Sequence, residues 1–198
     1  MNLSPATVSW PVKSELSNPP GGLLIWIVIL LELFTFGLGL LALVVYGRQE
    51  PELFQSAAAH LDTHLGLLNT LVLMGSGFLM AQSVYFARLG NLGKAKKWIG
   101  FTLLLGALFV AIKTFEYTQK LGSGLIMDDN MFFTLYWLLT GFHLIHVVVG
   151  MVILIVLSFS FKSGKEEENV ENLVSGAAFW HMCDLIWLLL FPALYLIY

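Results

Sequence analysis

The chain is short of charge and has almost no cysteine. Only 12% of its 198 residues are Asp, Glu, Lys or Arg, whereas 58% are hydrophobic. A water-soluble domain of that size cannot hide so much apolar surface, so the composition excludes one and indicates an integral membrane protein. The net charge of −3 is small, and the few basic residues lie beside apolar runs without forming a face of their own, which excludes a nucleic-acid binder. The single cysteine, Cys183, excludes an internal disulfide and a multi-thiolate metal site. It reads as a small packing residue. No HExxH pattern is present: in "HLDTH" (60–64), His60 and His64 are four apart but lack the glutamate and any third ligand nearby, so the segment reads as surface. The opening does not read as a cleaved leader, which is expected to begin with a basic patch and a short apolar core. Residues 1–21 are polar and carry Lys13, Glu15, Pro19 and Pro20. The first apolar run starts after them and is about 24 residues long, the length of a retained span.

What the chain does have is long hydrophobic runs, at Gly22–Tyr46, His64–Phe86, Trp98–Tyr117, Met131–Leu157 and Val174–Tyr198. Each approaches or exceeds the roughly 20 residues that cross a bilayer core. The fold expected is all-α: one integral membrane bundle of five transmembrane helices over 22–198, with short connections and no soluble domain. Five spans place Lys13, Arg88, Lys94, Lys96, Lys97, Lys162 and Lys165 on one side, against Arg48, Lys113 and Lys120 on the other. That asymmetry predicts a cytoplasmic N-terminus and an outside C-terminus. An even number of spans scatters these charges. The acidic run "KEEENVE" (165–171) reads as a solvated loop.

Ionisable residues inside spans mark candidate sites, and here they fall in two layers. Glu32 lies roughly 15 Å into the first span at about 1.5 Å per residue. His143 and His146 of the fourth span and His181 and Asp184 of the fifth reach a similar depth. The other layer is Asn69 and Thr70 with Lys113, Glu116 and Tyr117, where Lys113 and Glu116 share a helix face and Lys113 is close enough to the boundary to snorkel. His143 and His146 sit one turn apart on one face, so they cannot sandwich a single haem. Three roles stay open for the histidines: hydrogen-bonding struts, haem or metal ligands, and a proton path. A b-type haem anchor pairing His181 with a fourth-span histidine is the alternative of a different class. Glu32 has no lysine or arginine at its depth, which makes it a neutral acid or one hydrogen-bonded by a neighbouring helix, water or a lipid headgroup. Gly37, Gly39, Gly75, Gly77, Gly141 and Gly150 supply the small residues that let membrane helices approach.

Five stretches, in order, resemble subunit III of the haem–copper oxidases: "WIVILLELFTFG", "LGLLNTLVLMGSG", "LLLGALFVAIKTFEY", "TGFHLIHVVVG" and "FWHMCDLIWLLLFPALYL". Larger members have two further helices at the start, and the glycine usual between the two histidines is Leu144 here. The short loops, with "PPGGLLIWIVILLELFTFGL" and "DTHLGLLNTL", are most similar to the NorE-type nitric oxide reductase accessory branch. The resemblance implies a subunit in the bacterial cytoplasmic membrane with no haem or copper of its own. It implies docking on a catalytic subunit that holds haem with copper or iron, in a terminal oxidase or a nitric oxide reductase, and no catalysis alone. Stabilisation of that partner and of its proton supply is the implied role, with bound phospholipid. Glu32 matches the family's reactive carboxylate, implying lipid contact or tuning of proton supply. His143, His146, His181 and Asp184 match positions that hold the bundle together.

Overall fold

The structure, a computed structural model, describes residues 21–127, 129–162 and 164–198. All but the last residue of the polar segment expected over 1–21 therefore lies outside the described residues. Among the described residues six helices follow one another: α1 (Leu23–Gln49), α2 (Pro51–Ala58), α3 (Thr63–Arg88), α4 (Leu92–Gly122), α5 (Met131–Ser160) and α6 (Glu166–Tyr195). All except α2 are long and apolar enough to cross a membrane, so the five spans stand as expected.

Local chemistry sets the boundaries. Asp62 Oδ1 accepts from His64 N and Leu65 N to start α3, so the "HLDTH" segment is a helix entry with His60 and His64 exposed. Asn91 and Asn130 cap α4 and α5 in the same way, through Lys94 N and Phe133 N. Pro51 sits in the first turn of α2, where its missing N–H costs nothing. That short surface helix is too brief to show as an apolar run. Two further boundaries differ from expectation. The helix α4 begins at Leu92, ahead of Trp98, because Asn91 caps it before the hydrocarbon begins. The acidic run is the first two turns of α6 instead of a solvated loop. Glu166, Glu167 and Glu168 occupy the positive N-terminal end, where carboxylates favour the helix, and Asn169 is buried and exchanges two hydrogen bonds with the Lys162 backbone.

The helix α6 is the axis of the bundle, with α1, α3 and α5 packed against it and α4 behind α3 and α5. Buried residues of α3 (Gly66, Asn69, Leu73, Ser76, Met80, Ser83, Ala87) and of α4 (Ala95, Ile99, Thr102, Gly106, Phe109, Lys113, Glu116, Lys120) recur at spacings of three and four, with Thr70 and Gly77 of α3 buried beside them. This is the seam of antiparallel helices packed at a shallow angle. Three hydrogen bonds cross the seam, from Asn69 Nδ2 to Phe109 O (3.4 Å), Ser76 Oγ to Thr102 O (3.0 Å) and Ser83 Oγ to Ala95 O (3.0 Å). They are spaced seven residues apart on both helices. The indoles of α6 join in, Trp180 donating to Ser76 Oγ (3.2 Å) and Trp187 to Thr70 Oγ1 (3.0 Å).

Only some of the expected glycines sit at close approaches, and Gly47, Gly66, Gly106 and Gly176 do so as well. A Cβ on Gly39 would strike Leu139, and one on Gly150 would meet the Trp180 ring, whereas Gly37 and Gly141 have open space. The packing of α1 is lighter. Its buried side chains Ile29, Phe36 and Leu43 recur every seven residues, while much of the helix faces outward.

Candidate functional site

The two polar layers expected from the sequence are both present, and they are built differently. In the first, Lys113 is 1% exposed and does not snorkel. It sits on the α4 face that carries the core positions, so its ammonium turns inward and finds a full set of partners. Lys113 Nζ donates to Glu116 Oε2 (2.9 Å), Tyr195 Oη (3.0 Å) and Tyr136 Oη (3.3 Å). Each tyrosine hydroxyl donates in turn to Glu116 Oε1, at 2.9 Å from Tyr136 and 2.7 Å from Tyr195. Lys120 Nζ approaches the same oxygen at 3.5 Å and donates to His60 O at 3.3 Å. The rings of Tyr117, Tyr136, Trp187 and Tyr195 stand 5.0–5.6 Å from the Lys113 ammonium. Three hydrogens, two hydroxyls and both carboxylate oxygens are all used. Such a charged cluster survives burial because every group in it is satisfied. Tyr136 and Tyr195 were not singled out in the sequence; a buried tyrosine's need for a hydroxyl partner is the signal that points to them.

The second layer is not one cluster. Glu32 on α1 and His146 on α5 meet, with Oε2 3.2 Å from Nε2, in a contact not aligned as a hydrogen bond. His146 Nδ1 lies 2.8 Å from Phe142 O. A carbonyl only accepts, so Nδ1 carries a hydrogen and Nε2 is the nitrogen left to exchange one with Glu32. A second pair, His181 Nδ1 and Asp184 Oδ2 (3.2 Å), lies on α6 toward α3. Asp184 Oδ2 occupies the space where a Cβ on Gly77 would stand. Asp184 Oδ1 has no hydrogen-bond partner among the described residues.

His143 departs from the hydrogen-bonding strut expected of it. It is fully buried and neither ring nitrogen has a partner among the described residues. Its turn of α5 faces the aromatic core, where it stacks on Trp187 (5.3 Å, 27°) and meets the edges of Phe109 (5.8 Å) and Phe36 (6.3 Å). It joins helices by ring contact. The polar atoms nearest in sequence are already used, since Thr140 Oγ1 donates to Tyr136 O and accepts from Tyr117 Oη. His143 and His181 stand in different surroundings, the one walled by these rings and the other in a groove between α3 and α6. Among the described residues no three His, Cys, Asp or Glu side chains gather as a metal site. Cys183 is buried and free. Asn69 and Glu116 fall in the seam and the tyrosine cluster, so of the expected site residues only Glu32 and His146 are paired across two helices at mid-span.

Residues 28–197 match the protein family described as cytochrome c oxidase subunit III. A probable cytochrome c oxidase subunit 3 of Nocardia farcinica is 27% identical over 178 residues, covering 89% of this chain and 86% of that protein. The cytochrome c oxidase subunit 3 of Thermostichus vulcanus is 29% identical over 180 residues, with the same coverage of 89% and 86%. That of Synechocystis is 30% identical over 171 residues, covering 85% of this chain and 70% of that protein. With the five apolar spans and a match that runs from the second turn of α1 to just past the end of α6, the chain belongs to the subunit III family of the haem–copper oxidases.

Proposed function

We propose that the chain is a non-redox accessory subunit that docks on the haem-bearing catalytic subunit of a respiratory complex and supports its stability and proton supply. It sits in the bacterial cytoplasmic membrane with the N-terminus inside, the side that gathers Arg88, Lys94, Lys96, Lys97, Lys162 and Lys165. The observation that carries this reading is the Glu32–His146 pair. It is an acid and a base in contact at mid-span on the lightly packed helix α1, with side chains 22% and 12% exposed. Placed there, it can take up and release a proton at the bundle surface, or hold a lipid headgroup, without ordering any redox centre.

The relatives described above are named cytochrome c oxidase subunit 3, which favours an oxygen-reducing partner. The loop and helix resemblance to nitric oxide reductase accessory proteins gives the second arm of the test. Purification from native membranes identifies the partner by mass spectrometry and its substrate by turnover with oxygen or nitric oxide. In the same preparation Glu32→Gln is expected to leave assembly intact and to shorten sustained turnover without changing substrate affinity. Unchanged durability overturns the role given to Glu32, and stoichiometric haem on the isolated chain overturns the accessory reading in favour of a haem anchor.

A further inference from the structure

The helix α6 is enclosed on three sides and open on the fourth. It packs against α1, α3 and α5, but α1 does not pack along α3. Between those two helices one stripe of α6 stays uncovered, with His181, Leu185 and Leu189 exposed and Ala178 partly so. One end of the stripe lies in a groove of about 590 Å³ between α3 and α6, with Arg88, Ala81, Ala177 and Ala178 in its lining.

His181 is the anomaly on this face. It lies seven residues beyond Val174, about 10 Å further along the helix, among apolar side chains, and its own side chain is 45% exposed. Asp184 takes its Nδ1, and no described residue hydrogen-bonds its Nε2. Ionisable groups within a span almost always face a bundle interior or a polar cavity, because hydrocarbon cannot solvate them. An exposed imidazole backed by a carboxylate at this depth therefore marks a surface that is interior in the working assembly. An acyl chain fills the groove but offers Nε2 no hydrogen bond. A helix does both: the alanines let a backbone come close, and a polar side chain on that helix reaches the imidazole.

We propose that a transmembrane helix of another polypeptide closes the open side of the bundle, lying along α6 between α1 and α3 and hydrogen-bonding Nε2 of His181. This rests on the reading that the chain works inside a complex, and it adds the face by which it does so. The test places a benzophenone photo-crosslinking residue at Leu185, with Leu189 as a second position, in the complex in native membranes. A control goes at Leu104, on the outward face of α4. The expected result is an adduct between Leu185 or Leu189 and a different polypeptide of the complex, with lipid adducts at Leu104. Lipid adducts alone at both α6 positions, or adducts only to another copy of this chain, overturn the proposed face while a co-purifying complex keeps the accessory reading. No co-purifying complex at all overturns both.

Discussion

The two polar layers spend their ionisable groups in opposite ways. Around Glu116, two lysines and two tyrosines leave no oxygen or ammonium hydrogen of the central group unused. In the other layer, Glu32 Oε2, both nitrogens of His143 and Asp184 Oδ1 lack a hydrogen bond from any described residue. A closed network fastens helices and gains nothing from outside. An open one is expensive to keep in hydrocarbon and persists where something else, a proton, a lipid or a neighbouring chain, completes it. On the proposed function, the closed layer builds the bundle and the open layer is the one left to serve a partner.

The comparison breaks most easily at Glu116. Replacing it by leucine strands two buried lysines, and removing one partner of a buried charge cluster costs about 3–5 kcal/mol. Thermal unfolding of the detergent-purified chain reads this directly, and a Glu116→Leu protein as stable as its parent refutes the fastening role. Next comes Gly77→Val, which forces a side chain into the place of the Asp184 carboxylate and is expected to cost about 1–3 kcal/mol, as overpacking does. Loss of partner retention in the same variant, beyond what the stability change explains, sharpens the assignment of that face.

Ser76→Ala removes the hydroxyl that links Trp180 of α6 to the Thr102 carbonyl of α4. A loss of about 0.6 kcal/mol is expected, the average for hydrogen bonds between membrane helices, and no more than about 1.7 kcal/mol. The smallest effect belongs to His143→Leu. With no hydrogen bond to lose and an apolar surround, this swap is expected to stay within about 1.5 kcal/mol in the same melt. A large loss there reveals a polar partner that the other layer was thought to lack.

The spans were legible because hydrophobic length alone identifies them, from Gly22 into the last turn at Tyr195. Capping residues extended them: Asn91 and the Glu166–Glu168 turn carry α4 and α6 past the hydrocarbon boundary, which an apolar run cannot reveal. The grouping of Lys113 with Glu116 was readable from their spacing. The direction in which Lys113 turns was not, since it depends on Tyr136 and Tyr195, 23 and 82 residues away in sequence. His143 misled for the same reason. A histidine one turn from His146 looks alike in sequence, yet one faces Glu32 and the other faces three aromatic rings.

The three crossbars between α3 and α4 act as a vernier. Asn69, Ser76 and Ser83 find Phe109, Thr102 and Ala95 together, because both rails carry the same seven-residue interval. Sliding one helix by a single turn unlatches all three simultaneously, so misalignment is punished as a whole and not by degrees. Joined by a tight bend at Leu89, Gly90 and Asn91, the hairpin has one setting in which it clicks shut, and the rest of the bundle can be measured from it.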